Sequence, residues 1–275
     1  MKNFLKIILI IAIVAAIVGI VFVGIGYGKK ITQKVQNPIA TIEIENFGTI
    51  KIELYPEYAP NTVTNFIALA NNGFYDGLTF YKTIPEYFIK SGSKNSESMQ
   101  LPKLSDIKDV SKDADGEYCI EGEFTANGYR KNTLKMEKGV IAMERNDYGR
   151  QDSSLITEGY NSAGSEFFIL TNDNENLNGV YAGFGKVIEG MDIVHKIEEV
   201  EVKAADDGSD SSSESSSTSE VSTPVNDVII SNVTVETYGV DYGKPKTLDV
   251  WDYYDWVYKT YGINLKSYNT GNTGN

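Results

Sequence analysis

The sequence predicts a mainly β fold, a closed β-barrel with two helices, preceded by an N-terminal transmembrane helix. Three features predict it. Between residues 39 and 237, short apolar or alternating runs of strand length recur. Only two stretches there have the spacing of an apolar helix face, and a barrel is the usual way for many short strands to avoid open edges. A long apolar run also lies near the N-terminus.

The N-terminal run, residues 7–25, contains only apolar residues and glycine. At about 1.5 Å per residue it spans roughly 28 Å, close to the thickness of the hydrocarbon layer. Cleaved signal peptides have shorter apolar stretches, so we expect an uncleaved membrane anchor over residues 1–30. Lysines flank the run on both sides and do not set its orientation. A single span ahead of a folded domain predicts a single-pass cell-membrane protein whose domain lies outside the cytoplasm.

A short tether, residues 31–38, leads into the first strands. Residues 41–45 and 49–54 alternate apolar and polar side chains around a turn at residues 46–48, which predicts a hairpin with one buried face. Pro60 suits the first turn of a helix. The remaining predicted elements are strands at 78–82, 87–90, 140–143, 166–171 and 183–187 and a helix at 191–200.

Residues 204–224 are mostly Ser, Asp, Glu and Thr, a composition that cannot bury a core and predicts disorder. Residues 228–235 then have the pattern of one more strand. A barrel lacking that strand would have an open edge. We therefore interpret the Ser-rich stretch as an insert before the last strand rather than as a domain boundary.

The C-terminal extension, residues 238–275, is rich in aromatic residues. Val250, Tyr254, Val257 and Tyr261 share one helical face. One interpretation is a helix packed on the barrel; the other is a contact with a protein, a membrane surface or a glycan.

Composition excludes several function classes. The formal net charge is −13, which argues against nucleic-acid binding because that requires a basic surface. Cys119 is the only cysteine and His195 the only histidine, so neither a disulfide nor a cysteine–histidine metal site is expected. We predict no metal and no cofactor.

Several stretches, in order, resemble the cyclophilin family of peptidyl-prolyl cis-trans isomerases. The resemblance covers residues 39–200 and 225–237. It is carried by four segments of the chain, namely residues 52–66, 73–80, 161–169 and 181–192.

The resemblance implies a closed eight-stranded cyclophilin-like barrel capped by two helices, here residues 39–237, which needs no cofactor and binds proline-containing peptides and unfolded proteins. The family's catalytic arginine corresponds to Lys82, which keeps the charge but loses the planar fork. The family's apolar proline pocket corresponds to Tyr87, Phe88, Phe168 and Leu177, with Tyr181 at its edge.

The groove departs from the family pattern in its charges. Two family glutamines correspond to Lys90 and Glu166, and a small residue corresponds to Glu144. Either the groove is adapted to charged or distinct peptides, or these side chains and Lys82 pair with one another. The predicted function is an isomerase that assists folding of extracytoplasmic proteins. The alternative is a weak or inactive module that binds proline-containing segments as a chaperone or scaffold.

Overall fold

The computed structural model describes residues 36–93, 101–150, 152–203 and 222–263. The predicted anchor at residues 7–25 and residues 204–221 of the insert lie outside these ranges. Within the described ranges, no helix has the length and apolar character needed to cross a bilayer. The described residues from position 37 onward belong to one compact unit.

The main sheet is antiparallel and contains eight strands in the order β3-β4-β7-β6-β8-β2-β1-β9. A two-stranded sheet pairs β5 with β10. The strands are β1 Ile39–Ile44, β2 Gly48–Leu54, β3 Lys82–Ile84, β4 Phe88–Ser91, β5 Tyr118–Cys119, β6 Val140–Met143, β7 Phe167–Leu170, β8 Gly183–Glu189, β9 Ile230–Glu236 and β10 Leu248–Asp249.

The predicted hairpin is confirmed. Ile42 of β1 faces Ile50 of β2 across the pair, and both are fully buried. The turn between the strands uses Asn46 and Gly48 with positive φ, a conformation that these residue types adopt more readily than most others. The alternation of the sequence therefore fixed which face of the hairpin enters the core.

The prediction of a closed barrel is wrong, because no ladder joins the edge strands β3 and β9. The predicted strand at residues 78–82 is also wrong, since β3 begins only at Lys82. The chain just before β3 changes partner: the N–H of Phe80 donates to Val228 O at 2.9 Å, and that of Tyr81 donates to Lys90 O at 3.1 Å. The contact with the β9 side stays an isolated bridge between Thr79 and Ile229, whereas the chain from Lys82 onward pairs with β4. The sheet is therefore curled with an open seam between β3 and β9.

Four α-helices lie in the described ranges. The two predicted helices are present, and the second ends at Glu198, two residues before its predicted end. Two more follow, one before β7 and one in the C-terminal extension. The helices are α1 Pro60–Ala70, α2 Ile156–Tyr160, α3 Met191–Glu198 and α4 Tyr253–Tyr261. Short 3-10 turns connect other elements at Leu104–Asp106, Thr125–Asn127, Tyr148–Arg150, Ser153–Leu155 and Glu175–Leu177.

The main core lies between α1 and the inner face of the curled sheet. Phe66 of α1 contacts the rings of Tyr75, Phe167 and Phe184 at centroid distances of 5.1, 5.9 and 5.4 Å. All four rings are fully buried. Large buried rings contribute strongly to stability, so α1 and the inner face hold the fold together.

The C-terminal extension is attached to the domain. Leu248 and Asp249 of β10 pair with Cys119 and Tyr118 of β5, and the ring of Trp251 lies 4.6 Å from that of Tyr148. The predicted packing face of α4 is mostly wrong: Val257 is buried, but Tyr254 and Tyr261 are 40% and 59% exposed. Val257 is the buried residue of the helix, and Trp251, just before the helix, makes the ring contact with Tyr148, so no full apolar stripe holds α4.

Both flanks of the Ser-rich insert are tied to the domain. The N–H of Lys203 donates to Thr223 O at 2.8 Å, and that of Thr83 donates to Ser222 O at 2.8 Å. Ser222, assigned to the insert from composition, therefore contacts the edge strand β3.

Candidate functional site

The candidate site lies on the outer face of β3, β4, β7 and β6. Lys82 faces Lys90, Lys90 faces Phe168, and Phe168 faces Ala142 in the strand pairing. Because directly paired residues project from the same face of a sheet, these side chains form one row. The row brings the predicted catalytic residue next to the predicted pocket.

The five predicted apolar pocket residues belong to one cluster on this face. We call Tyr87, Phe88, Phe168, Leu177 and Tyr181 the aromatic pocket. Phe88 and Phe168 are buried, whereas the other three are partly exposed. The cluster is separate from the main core, so these side chains line an outward-facing site.

The rings of the aromatic pocket contact one another in sequence. Ring centroids are 4.6 Å apart for Tyr87 and Phe88, 5.8 Å for Phe88 and Phe168, and 5.3 Å for Phe168 and Tyr181. Two buried rings flanked by partly exposed tyrosines form an apolar surface with polar edges, and such a surface suits a small apolar ring.

Leu134 and Met136 also pack against the pocket, although no motif in the sequence marked them. The N–H of Met136 donates to the Asn178 side chain at 2.8 Å, which holds this otherwise irregular segment in place. The alternation of Leu134 and Met136 around a lysine was the available signal, but the segment lies outside every predicted strand.

The turn before β4 sets the position of Tyr87 and Phe88. The N–H of Tyr87 donates to Ile84 O at 3.1 Å, and Glu86 has a positive φ of 58°. The N–H of Glu86 donates to the carboxylate of Glu198 in α3. Glu198 also lies 2.8 Å from Nδ1 of His195, so α3 fixes the turn that presents the pocket rings.

Lys90 and Glu144 form an ion pair beside the pocket. Their side chains are only 14% and 13% exposed, and Glu144 Oε1 also accepts the backbone N–H of Arg145 at 3.0 Å. The Lys90 ammonium lies 5.4 Å from the centre of the Phe88 ring. Two of the charges that depart from the family pattern therefore compensate each other.

Glu166 is nearly buried and accepts a hydrogen bond from the Tyr81 hydroxyl at 2.7 Å. Burial is the main cause of a raised pKa for Glu166, opposed by hydrogen bonding to Tyr81 and the charge of Lys90. Burial and the nearby Glu166 raise the pKa of Tyr81, so the tyrosine remains the donor. Glu166 is satisfied by a hydroxyl rather than by Lys82.

Lys82 forms no ion pair with any carboxylate in the described ranges. Burial, followed by the positive charge of Lys90, lowers the pKa of Lys82, and Glu144 partly opposes the shift. Of the two interpretations of the charged groove, full mutual pairing is therefore not what the structure shows. Lys90 and Glu144 pair, while the Lys82 ammonium stays available beside the pocket.

Across the described ranges, no cluster of three or more His, Cys, Asp or Glu side chains could hold a metal ion. Cys119 is buried, and burial, with a contribution from Glu117, raises its pKa to about 11. The thiol is therefore held in its unreactive, protonated form at neutral pH.

Comparison with known proteins gives a consistent result. The family model described as "Cyclophilin type peptidyl-prolyl cis-trans isomerase/CLD" matches residues 39–235. Peptidyl-prolyl cis-trans isomerase B of Bacillus subtilis is 32% identical over 159 residues, covering 58% of this chain and 90% of the relative. A peptidyl-prolyl cis-trans isomerase of Acinetobacter baylyi is 33% identical over 160 residues, covering 56% and 69%.

Solved structures show the same fold. A cyclophilin-type isomerase of Cryptosporidium parvum superposes with a TM-score of 0.52 at 23% identity, covering 73% of this chain and 97% of that one. A second structure of that protein, determined in the presence of the dipeptide Ala-Pro, has a TM-score of 0.52 at 22% identity and covers 72% and 98%.

Proposed function

The chain belongs to the cyclophilin-type peptidyl-prolyl cis-trans isomerases, and we propose that Lys82 and the aromatic pocket together catalyse the isomerisation in this member. The observation that carries the proposal is the Lys82 ammonium, which has no ion-pair partner in the described ranges and lies on the strand next to a partly exposed apolar cluster. The substrates are proline-containing segments of proteins that are still folding, and no cofactor takes part.

The reaction requires rotation about a partial double bond. The peptide bond has a barrier of about 18–20 kcal/mol because the nitrogen lone pair is delocalised. At X-Pro bonds both isomers are accessible, yet exchange takes tens to hundreds of seconds. An enzyme accelerates the exchange by binding the twisted amide more tightly than either planar isomer. No covalent bond forms or breaks.

Two parts of the site meet this requirement. The aromatic pocket holds the proline ring and leaves the carbonyl side of the bond free to rotate. Lys82 donates a hydrogen bond to the prolyl nitrogen, whose lone pair becomes available only in the twisted state. Because Lys90 is already paired with Glu144, Lys82 is not drawn away by that carboxylate, and its lowered pKa makes it a stronger donor.

Measuring cis/trans exchange of a short X-Pro peptide by NMR tests the role of Lys82, using the full chain in mild detergent. We expect Lys82→Ala to lower kcat/KM by about 10²-fold or more, as for loss of a donor to a transition state, and Lys82→Arg to retain activity. Lysine must be protonated to donate, so wild-type activity should fall at alkaline pH, whereas Lys82→Arg should not titrate there. An unchanged rate for Lys82→Ala would contradict the assignment.

A binding module without useful turnover is the second candidate. It is favoured by the replacement of the planar arginine fork by a lysine at position 82. In that case the wild type would bind the peptide without accelerating exchange, and Lys82→Arg would restore turnover.

We also propose that residues 7–25 anchor the protein in the cell membrane as a single span, with the catalytic domain outside the cytoplasm. The support is the length and uniform apolar character of that run. A reporter that is active only outside the cytoplasm, fused after Asn275, should be active; activity of a cytosol-only reporter at the same position would contradict the proposal.

A further inference from the structure

Arg145 lies at the Tyr181 end of the ring series of the aromatic pocket. Its guanidinium carbon is 4.7 Å from the ring centre of Tyr181, and Tyr181 in turn contacts Phe168. At the other end, Lys90 lies over Phe88. Phe168 therefore lies between two cationic groups.

The guanidinium of Arg145 is held rigidly. The rings of Tyr160 and Phe124 lie 4.9 and 5.7 Å from its carbon, in addition to Tyr181. Its Nε donates to Val180 O at 3.0 Å, and its Nη1 donates to Asn146 O at 3.0 Å. These two bonds leave three of the five N–H groups of the fork for another acceptor.

The charge of Arg145 has no ion-pair partner in the described part of the chain. The two nearest acids in sequence are already engaged: Glu144 pairs with Lys90, and Asp147 pairs with Arg150 at 2.8 Å. Carbonyl acceptors satisfy N–H groups but do not neutralise a charge. A partly exposed, preorganised cation with a free edge beside a binding pocket is suited to an incoming carboxylate.

We infer that Arg145 forms a subsite for an acidic side chain of the substrate, so that the enzyme prefers proline segments carrying Asp or Glu near the proline. The inference rests on the proposed function, because it assumes that the proline ring occupies the aromatic pocket. Tyr181 lies between Arg145 and Phe168, 4.7 Å from the guanidinium carbon of Arg145 and 5.3 Å from the Phe168 ring. An extended peptide advances about 3.3 Å per residue. The acidic residue therefore lies two or three positions from the proline.

The protein is strongly acidic overall, with a net charge of −13. Long-range attraction of acidic peptides is therefore not expected, and any preference must arise locally at the groove. This property separates the proposed subsite from general electrostatic steering, which would disfavour such substrates.

The test compares capped Ala-based peptides with one central X-Pro bond. Glu or, as the matched control, Gln is placed at each of the three positions before and after the X-Pro pair. NMR exchange gives kcat/KM, and chemical-shift titration of the same samples gives Kd for the full chain in detergent. We expect the Glu peptide to be preferred about fivefold to tenfold at one position, as for one charge-assisted bond, and the ratio to shrink as salt is added.

Variants then assign the preference to one residue. Arg145→Gln should bring the Glu/Gln ratio to about one or below, and Arg145→Lys should retain only part of it because lysine lacks the planar fork. Arg150→Gln, which removes a cation from the same segment, should leave the ratio unchanged. A ratio is used because a general loss of activity affects both peptides equally.

The outcomes separate the two proposals. A Glu preference in Kd without any acceleration would support the subsite and contradict efficient catalysis. Acceleration with no Glu preference at any position, or a preference that survives in Arg145→Gln, would overturn the subsite and leave the catalytic proposal intact. The salt dependence of the Glu/Gln ratio is measured on the wild type, so the test holds even if Arg145→Gln fails to fold.

Discussion

The two faces of β4, β6 and β7 contrast sharply although they belong to the same strands. Ile89, Ile141, Phe167 and Ile169 project inward into the main core, whereas Phe88, Ala142, Phe168 and Leu170 project outward into the pocket cluster. Successive residues of a strand point to opposite faces. Adjacent residues therefore serve different purposes, one maintaining the fold and the next shaping the site.

The surroundings of the two faces differ more than their composition. The inner face is covered by α1 and its rings, while the outer face is bordered by partly exposed tyrosines and by the Lys90–Glu144 pair. Charged groups are tolerated beside the outer face because they have partners: Lys90 pairs with Glu144, and Glu166 accepts a hydrogen bond from Tyr81. Burial alone therefore does not distinguish a core residue from a site residue, since Phe167 and Phe168 are both buried.

Replacing Phe167 and Phe168 in turn tests the contrast most directly. Phe167→Ala should lower the free energy of unfolding by about 3–5 kcal/mol, because the ring contacts Phe66, Tyr75 and Phe80. Phe168→Ala should cost about 2 kcal/mol, since its open site can relax and admit water, but should reduce kcat/KM more than tenfold. Urea unfolding and peptide exchange measure the two effects.

If Phe168→Ala destabilised the protein as much as Phe167→Ala while leaving kcat/KM unchanged, the outer cluster would be a second core rather than a site.

Glu123 provides the next test, because it is a buried acid whose carboxylate caps the first turn of α1. Its carboxylate accepts the N–H of Asn61 at 3.0 Å and both the N–H and hydroxyl of Thr62 at 2.8 Å, whereas the N-cap residue Ala59 has no capping side chain. Glu123→Ala should lower the free energy of unfolding by about 2 kcal/mol. The ratio of Glu to Gln peptide turnover should not change.

Glu121→Ala is the matched control, since Glu121 is exposed and lies two residues away. It should change the urea midpoint very little. Equal losses in the two variants would show that general acidity of this segment, and not the long-range cap, supports α1.

The smallest effect is expected from Glu166→Gln on the outer face. Burial raises the pKa of Glu166, so the folded state favours its protonated form. Its contribution to stability is therefore fully present below the pKa of the unfolded chain and is lost as pH rises through the folded pKa. Glutamine keeps an acceptor for Tyr81 without the charge, and it should raise stability at neutral pH by about 1 kcal/mol or less.

Unfolding free energies measured between acidic and neutral pH should show a weaker pH dependence for Glu166→Gln than for the wild type. Glu121→Gln serves as the exposed control. A loss of stability in Glu166→Gln at neutral pH would mean that the charged form is favoured by folding, opposite to the direction given by burial.

Much of the local structure follows from the sequence. Alternation predicted the hairpin of β1 and β2 with its buried face, and Pro60 with its apolar spacing predicted α1. The resemblance to the family named Tyr87, Phe88, Phe168, Leu177 and Tyr181, and the structure brings all five together. The hairpin and helix predictions succeeded because they depend on local periodicity. The five residues come together because the spacing of the motifs is preserved, and their role in binding stays a prediction.

The failures share a different origin. A closed barrel would need a continuous ladder between residues 78–82 and the β9 side of the sheet. Instead, Phe80 bonds to Val228 and the next residue, Tyr81, bonds to Lys90. The helical face of the extension predicted burial of Tyr254 and Tyr261, yet contact of Trp251 with Tyr148 sets the packing instead. Both outcomes depend on segments that are far apart in sequence.

Periodicity and motif spacing are properties of the chain alone. The sequence was therefore enough to predict most strands, the family and which apolar and charged side chains lie in the groove. Only the tertiary structure decided which charges compensate each other. Lys90 forms an ion pair with Glu144, while Lys82 and Arg145 have no acidic partner in the described ranges. Ion pairing depends on distances of a few ångströms between residues tens of positions apart, and folding alone sets those distances.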